Sequence, residues 1–225
     1  MCFSAAASFI GGGVLTALGT TTMLTNKDPS RRLFAAIPFV FGVQQVAEGF
    51  VWVSLKDPDP DPVVKAVSIA LFLVAAVLVW PTVVPLSMLL MERDRKRRIL
   101  LWVLTALGIA VSLAHVVGML VYTVTARIDG LHILYALDSP FPLAVVTMCG
   151  YLIATILPMF ASSVKRVYVF GLVIVLSYVV AEIFYREYLV SVWCFFGAAA
   201  SVVIWWVLKE HEPAPVAVPE TIDPS

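Results

Sequence analysis

Seven apolar runs, each long enough for a bilayer-crossing helix, divide this chain and leave few folds open to it. A spanning helix needs about 20 largely apolar residues. The runs cover roughly 5–25, 33–55, 63–91, 99–124, 142–161, 167–185 and 188–208. Polar breaks such as Asn26-Lys27-Asp28-Pro29 and the Asp-Pro repeat from Asp57 to Pro62 separate them. Only 13% of the residues are charged, against about a quarter in soluble domains. The pattern predicts an all-α fold, a polytopic membrane protein built as a bundle of seven transmembrane helices over 1–212. The third run is longer than a membrane requires, and Pro81 and Pro85 are expected to kink it. The proline-rich acidic stretch 213–225 is expected to be disordered. The opening Met-Cys-Phe-Ser-Ala-Ala-Ala-Ser-Phe has no basic region, so the first run reads as a retained helix and not a cleaved signal.

Lysine and arginine fix an orientation. Lys27, Arg31, Arg32, Arg93, Arg95, Lys96, Arg97, Arg98, Lys165, Arg166 and Lys209 fall on one side of such a bundle. Lys56, Lys65, Arg127 and Arg186 fall on the other. Cytoplasmic loops carry the excess of positive charge, which places the N-terminus outside and the C-terminus in the cytoplasm. The expected partner is the lipid bilayer, and the expected location the cell membrane. A formal net charge of zero argues against nucleic acid. Three cysteines make no disulfide framework.

Polar residues inside apolar helices are costly, and they mark candidate sites. Glu48 is the clearest. Gln44, Glu48 and Trp52 recur every four residues and share one helix face, with Gln45 at its border. Tyr178 and Glu182 share a face of the sixth run, and Trp193 and Cys194 lie in the seventh. A rise of about 1.5 Å per residue puts Glu48, His115, Glu182 and Cys194 in the outer third of the membrane. An outward-facing ligand pocket would therefore draw on Gln44, Gln45, Glu48, Trp52, Tyr178, Glu182 and Trp193. Thiolate, imidazole and carboxylate also bind divalent transition metals such as zinc. Cys2, Glu48, His115 and Cys194 are the candidate ligands for such a cofactor, although no tight ligand spacing joins them. An N-terminal Cys2 freed of Met1 would also pair a thiol with an amine, which suits nucleophilic chemistry.

The opening Met1-Cys2-Phe3-Ser4-Ala5 with Ser8-Phe9 resembles the start of a family of uncharacterised bacterial membrane proteins. Ile37-Pro38-Phe39, Gln44-Gln45, Glu48-Gly49 and Trp52 are similar to that family's second-helix motif, and Trp193-Cys194-Phe195-Phe196 fits near the end. The resemblance covers residue 1 to about 208. It implies a bacterial inner-membrane protein and no particular activity.

Three functional classes stay open on this evidence. One is a membrane enzyme or redox protein with a metal or thiol site. Seven-helix hydrolases such as the alkaline ceramidases use several histidines within the bundle, whereas here His115 alone lies clearly inside a run. The second is a receptor or sensor for a small molecule, held in a mixed polar and aromatic pocket. The third is a proton- or cation-coupled transporter that uses Glu48. The sequence argues against a retinal protein, because every lysine lies in a loop or at the end of a run.

Overall fold

The computed structural model describes residues 4–209, so Cys2 and the tail from 213 lie outside the described residues. Among the described residues, seven helices are long and apolar enough to cross a membrane. They are α1 (Ala5–Thr25), α2 (Pro29–Lys56), α3 (Pro62–Met91), α4 (Arg95–Val121), α5 (Phe141–Ala161), α6 (Val167–Phe184) and α7 (Arg186–Lys209). Their starts follow local chemistry. Ser4, Asp61 and Asp94 cap α1, α3 and α4 by accepting from backbone N–H groups of the first turn.

One connection departs from the expected all-α fold. Residues Val124–Asp129 and His132–Leu137 form antiparallel strands β1 and β2. The fourth run was expected to stay helical to 124 and the rest to be loop. The reason for the hairpin is local. Asp129 pairs with His132, leaving a two-residue Gly130-Leu131 turn, and Gly130 adopts a φ of 59° that glycine tolerates without strain. The hairpin lies across one end of the bundle. Ile133 is fully buried and packs with Val51 and Trp52 of α2. The His132 ring lies 5.2 Å from that of Tyr185 and stacks on Tyr188 at 4.8 Å.

Helix α3 accommodates its prolines by changing helix type. Val74–Val79 is a π-helical stretch just before Trp80-Pro81. Proline lacks the N–H that would satisfy the preceding turn, and π-bulges absorb such mismatches, often at functional sites. The carbonyls loosened there find new donors. Tyr151 Oη donates to the Ala76 carbonyl at 2.7 Å, and Ser112 Oγ to that of Leu78 at 2.8 Å. Helices α4 and α5 are thereby tied to the middle of α3.

Helix α1 packs on α2 through Ser8, Gly12, Leu15 and Gly19. A Cβ on Gly19 would stand 2.2 Å from the Phe39 nitrogen, so the two backbones meet directly. Gly13 and Ala17, four residues apart on the same helix, face outward. Burial is uneven around the bundle. It reaches 67% of the most apolar window of α2 and 50% of that of α7, so these two helices carry the interior. Elsewhere large apolar side chains face out, among them Leu120, Phe141 and Ile183.

Candidate functional site

The polar stripe of α2 points into the centre of the bundle. Gln44, Gln45, Glu48 and Trp52 are all at most 1% exposed. Glu48 Oε1 accepts a 2.5 Å hydrogen bond from Ser191 Oγ of α7. Gln44 Oε1 accepts from Trp80 Nε1 of α3 at 2.9 Å, and the Trp80 ring stacks on Phe41 at 3.9 Å. The free side of Gln44 adjoins the Cys194 thiol, and Gln45 adjoins Glu48. Three helices thus close one buried polar cluster.

Several atoms in that cluster have no close hydrogen-bond partner among the described residues. They are Glu48 Oε2, both amide atoms of Gln45, Gln44 Nε2 and Trp52 Nε1. Among the described residues no basic side chain pairs with Glu48. Buried polar groups are nearly always satisfied, so this concentration on two turns of one helix is exceptional.

Beside the cluster lies a cavity of about 260 Å³ at the hairpin end. Its walls come from α3, α4, α5, α7 and both strands of the hairpin, with His115, Tyr135, Tyr151, Trp193 and Cys194 among them. A second, smaller cavity of about 50 Å³ shares Tyr151, Trp193 and Cys194 and runs deeper into the bundle. Under the larger cavity four rings form a row. Tyr178 meets Trp193 at 5.1 Å, Trp193 meets Tyr151 at 5.6 Å, and Tyr151 meets His115 at 6.3 Å, all edge to face.

The expected pocket therefore separates into two neighbouring features. Gln44, Gln45, Glu48 and Trp52 form the polar cluster, while Trp193 lines the cavity and Tyr178 supports it. Cys194 belongs to both. Glu182 joins neither, because Arg186 one turn further on draws its carboxylate into a 3.1 Å ion pair at the end of α6. Ser191, Trp80, Tyr135 and Tyr151 were not among the expected pocket residues. Ser191 alone had a sequence signal, a small polar stripe with Cys194, Ala198 and Ser201.

The metal reading does not fit the residues described. No group of three or more His, Cys, Asp or Glu is placed to hold an ion among them. Glu48 is bonded to Ser191, His115 Nδ1 bonds the Val111 carbonyl at 2.9 Å, and Cys194 is buried beside Gln44. Cys194 adjoins both Glu48 and the cavity that His115 lines, but the three do not converge on one point. Cys2, the remaining candidate ligand, lies outside the described residues.

The Glu48–Ser191 bond makes a direct prediction. Ser191→Ala removes the hydroxyl donor and leaves a buried carboxylate oxygen bare, which should cost about 1–3 kcal/mol. Glu48→Gln keeps an acceptor for Ser191 and should melt close to wild type. Thermal melts in detergent test both, and an unchanged Ser191→Ala midpoint would count against the bond.

A model of a family of unknown function matches residues 1–218. No curated protein and no solved structure matches the chain.

Proposed function

Because the chain belongs to that family, DUF6629, whose function is unknown, we propose a reading from its own residues: an integral membrane protein that binds a small molecule in an outward-facing pocket. Seven apolar helices with large side chains turned outward support insertion. The lysine and arginine distribution supports an N-terminus outside, a cytoplasmic C-terminus and the hairpin on the outer face. A bacterial inner membrane is the location that goes with the resemblance noted above. The carrying observation is the cavity of about 260 Å³ beneath the hairpin. It is close to the small end of the range for ligand sites and has their mixture of apolar walls and a few polar groups.

In this reading the protein is a receptor or sensor type of binder. The hairpin, held by Ile133 on α2 and by His132 on the α6–α7 turn, roofs the pocket. The row of rings forms its floor. Cys194 and Gln44 connect the pocket wall to Glu48, so a ligand pressing on α7 would act on the Ser191–Glu48 bond.

Native mass spectrometry of the purified protein tests this. Wild type should retain a bound small molecule, whereas Met119→Trp and Val190→Trp, which fill the cavity, should lose at least about nine-tenths of it. Identical bound masses in all three proteins would sink the reading.

A second reading rests on Glu48 alone. A fully buried carboxylate with no basic partner among the described residues suits a proton or cation site. Under it, Glu48→Gln would abolish flux driven by an imposed gradient in proteoliposomes. A binder of the first kind would show no such flux in wild type.

A further inference from the structure

We infer that the pocket takes a neutral, lipid-soluble phenol or alcohol, with its hydroxyl on His115 and its aliphatic part leaving sideways past the outer end of α5. This rests on the binding reading above and names the ligand class. Three observations carry it.

The first is charge. Among the described residues, no Asp, Glu, Lys or Arg lines the cavity. An ionised ligand would have to give up its hydration with nothing of opposite sign to replace it. The ligand is therefore neutral.

The second is the state of His115. Its Nδ1 lies 2.9 Å from the Val111 carbonyl oxygen. A carbonyl only accepts, so Nδ1 carries the proton and donates it. In a neutral imidazole Nε2 is then left as a lone-pair acceptor. No hydrogen bond to that nitrogen comes from any described residue. The pocket therefore offers an acceptor, and a ligand hydroxyl supplies the matching donor. Around it the walls are suited to flat or branched apolar groups. Tyr135 is itself stacked on Phe72 at 4.6 Å, and Tyr151 meets His115 edge to face.

The third is the mouth. Ala144 lines the cavity and is also exposed, as are all residues 141–146 at the start of α5. That end of α5 stands clear of the bundle and leaves the cavity wall open there. In the proposed orientation this depth is the outer leaflet, so the opening faces lipid and not water. His115 lies about 9 Å below the end of α4, six residues from Val121 at the helical rise. A hydroxyl held there leaves the rest of a lipophile to reach the opening.

The test uses 4-nonylphenol and its methyl ether, which keeps the body and removes the donor. Both are equilibrated with wild-type protein in nanodiscs, and uptake by empty nanodiscs is subtracted. Wild type should bind the phenol about tenfold more tightly than the ether. His115→Phe keeps the contact with Tyr151 but loses the acceptor, and should bind the two equally. His115→Gln restores an acceptor and should recover part of the preference. Val190→Trp should bind neither. Equal binding of phenol and ether by wild type would overturn the inference, as would a preference that survives His115→Phe. Should neither probe bind while native mass spectrometry still finds a pocket ligand, the inference falls and the binding reading stands. Should Val190→Trp hold the same masses as wild type, the binding reading falls as well.

Discussion

Gly108→Leu is expected to prevent α3 and α4 from assembling, with a loss of more than about 3 kcal/mol. A Cβ at Gly108 would stand 1.7 Å from the Pro81 carbonyl oxygen and 2.7 Å from its carbon. These are backbone atoms, so no rotamer change relieves the clash. The approach has a cause in the sequence of α3. Pro85 lacks the N–H that would have bonded the Pro81 carbonyl four residues earlier. That carbonyl is thus released to face α4, and glycine is the residue that lets α4 reach it. The same crossing holds Ser112 Oγ on the Leu78 carbonyl and 2.9 Å from Thr82 Oγ1. Pushing α4 away would break these bonds and open the cavity wall that His115 supplies. Gly13→Leu is the control, since a Cβ there meets nothing within 4 Å. Size-exclusion profiles and melts in detergent decide the matter. A Gly108→Leu protein that melts within a few degrees of Gly13→Leu would contradict the packing described.

The seven helices were legible because length and apolarity are local properties, set by what a membrane-crossing segment requires. Their ends moved by only a few residues. The hairpin was legible too, yet it was read as loop. Asp129-Gly130 follows a stretch of alternating character, which is a hairpin signal, but His132–Leu137 alternates poorly and the connection sat between two long apolar runs. Rotation and lateral order were a different matter. Glu48 and its neighbours stood out because a polar side chain in an apolar helix advertises a buried face. The cavity walls did not stand out, since Leu73, Val77, Met119 and Val190 are chemically the same as the apolar residues on the outside of the bundle. Glu182 was selected by the rule that found Glu48, and it failed because α6 ends two residues later, where Arg186 can pair with it. Depth along each helix placed Glu48, His115 and Cys194 at one level, but only the packed bundle shows that His115 belongs to the cavity and Glu48 to the cluster behind it.

Acid is expected to loosen the end of the bundle opposite the hairpin, through one carboxylate that the sequence presents as an ordinary loop charge. Glu92 lies just past α3 and is 2% exposed. Its Oε1 accepts from the Arg93 and Asp94 N–H groups at 2.9 Å and from Ser163 Oγ at 2.6 Å. Its Oε2 accepts from the Ser163 N–H at 2.6 Å and from Ser162 Oγ at 3.3 Å. One side chain therefore clips the α3–α4 turn to the α5–α6 turn, and Arg97 adds a bond to the Ala161 carbonyl at 3.0 Å. Burial works against ionisation of Glu92, but the bonds from Ser163, Asp94 and Arg93 outweigh it and hold the carboxyl below its ordinary value of 4.5. A depressed folded pKa adds stability that is present above the unfolded value and lost as pH falls through the folded one. The clip should thus be intact at neutral pH and weaken below about 4.5. Glu92→Gln replaces an acceptor oxygen by an amide that faces donors, and should cost about 3 kcal/mol at pH 7. Asp28, also held low by its bonds to Ser30, loses stability in the same direction, so the informative quantity is the difference between the two proteins. Hydrogen exchange over residues 92–98 and 161–166 reads it. Wild type should be strongly protected at pH 7 and converge on Glu92→Gln as the pH drops. Equal protection of the two proteins at pH 7 would mean that the carboxylate clip does not hold these turns together.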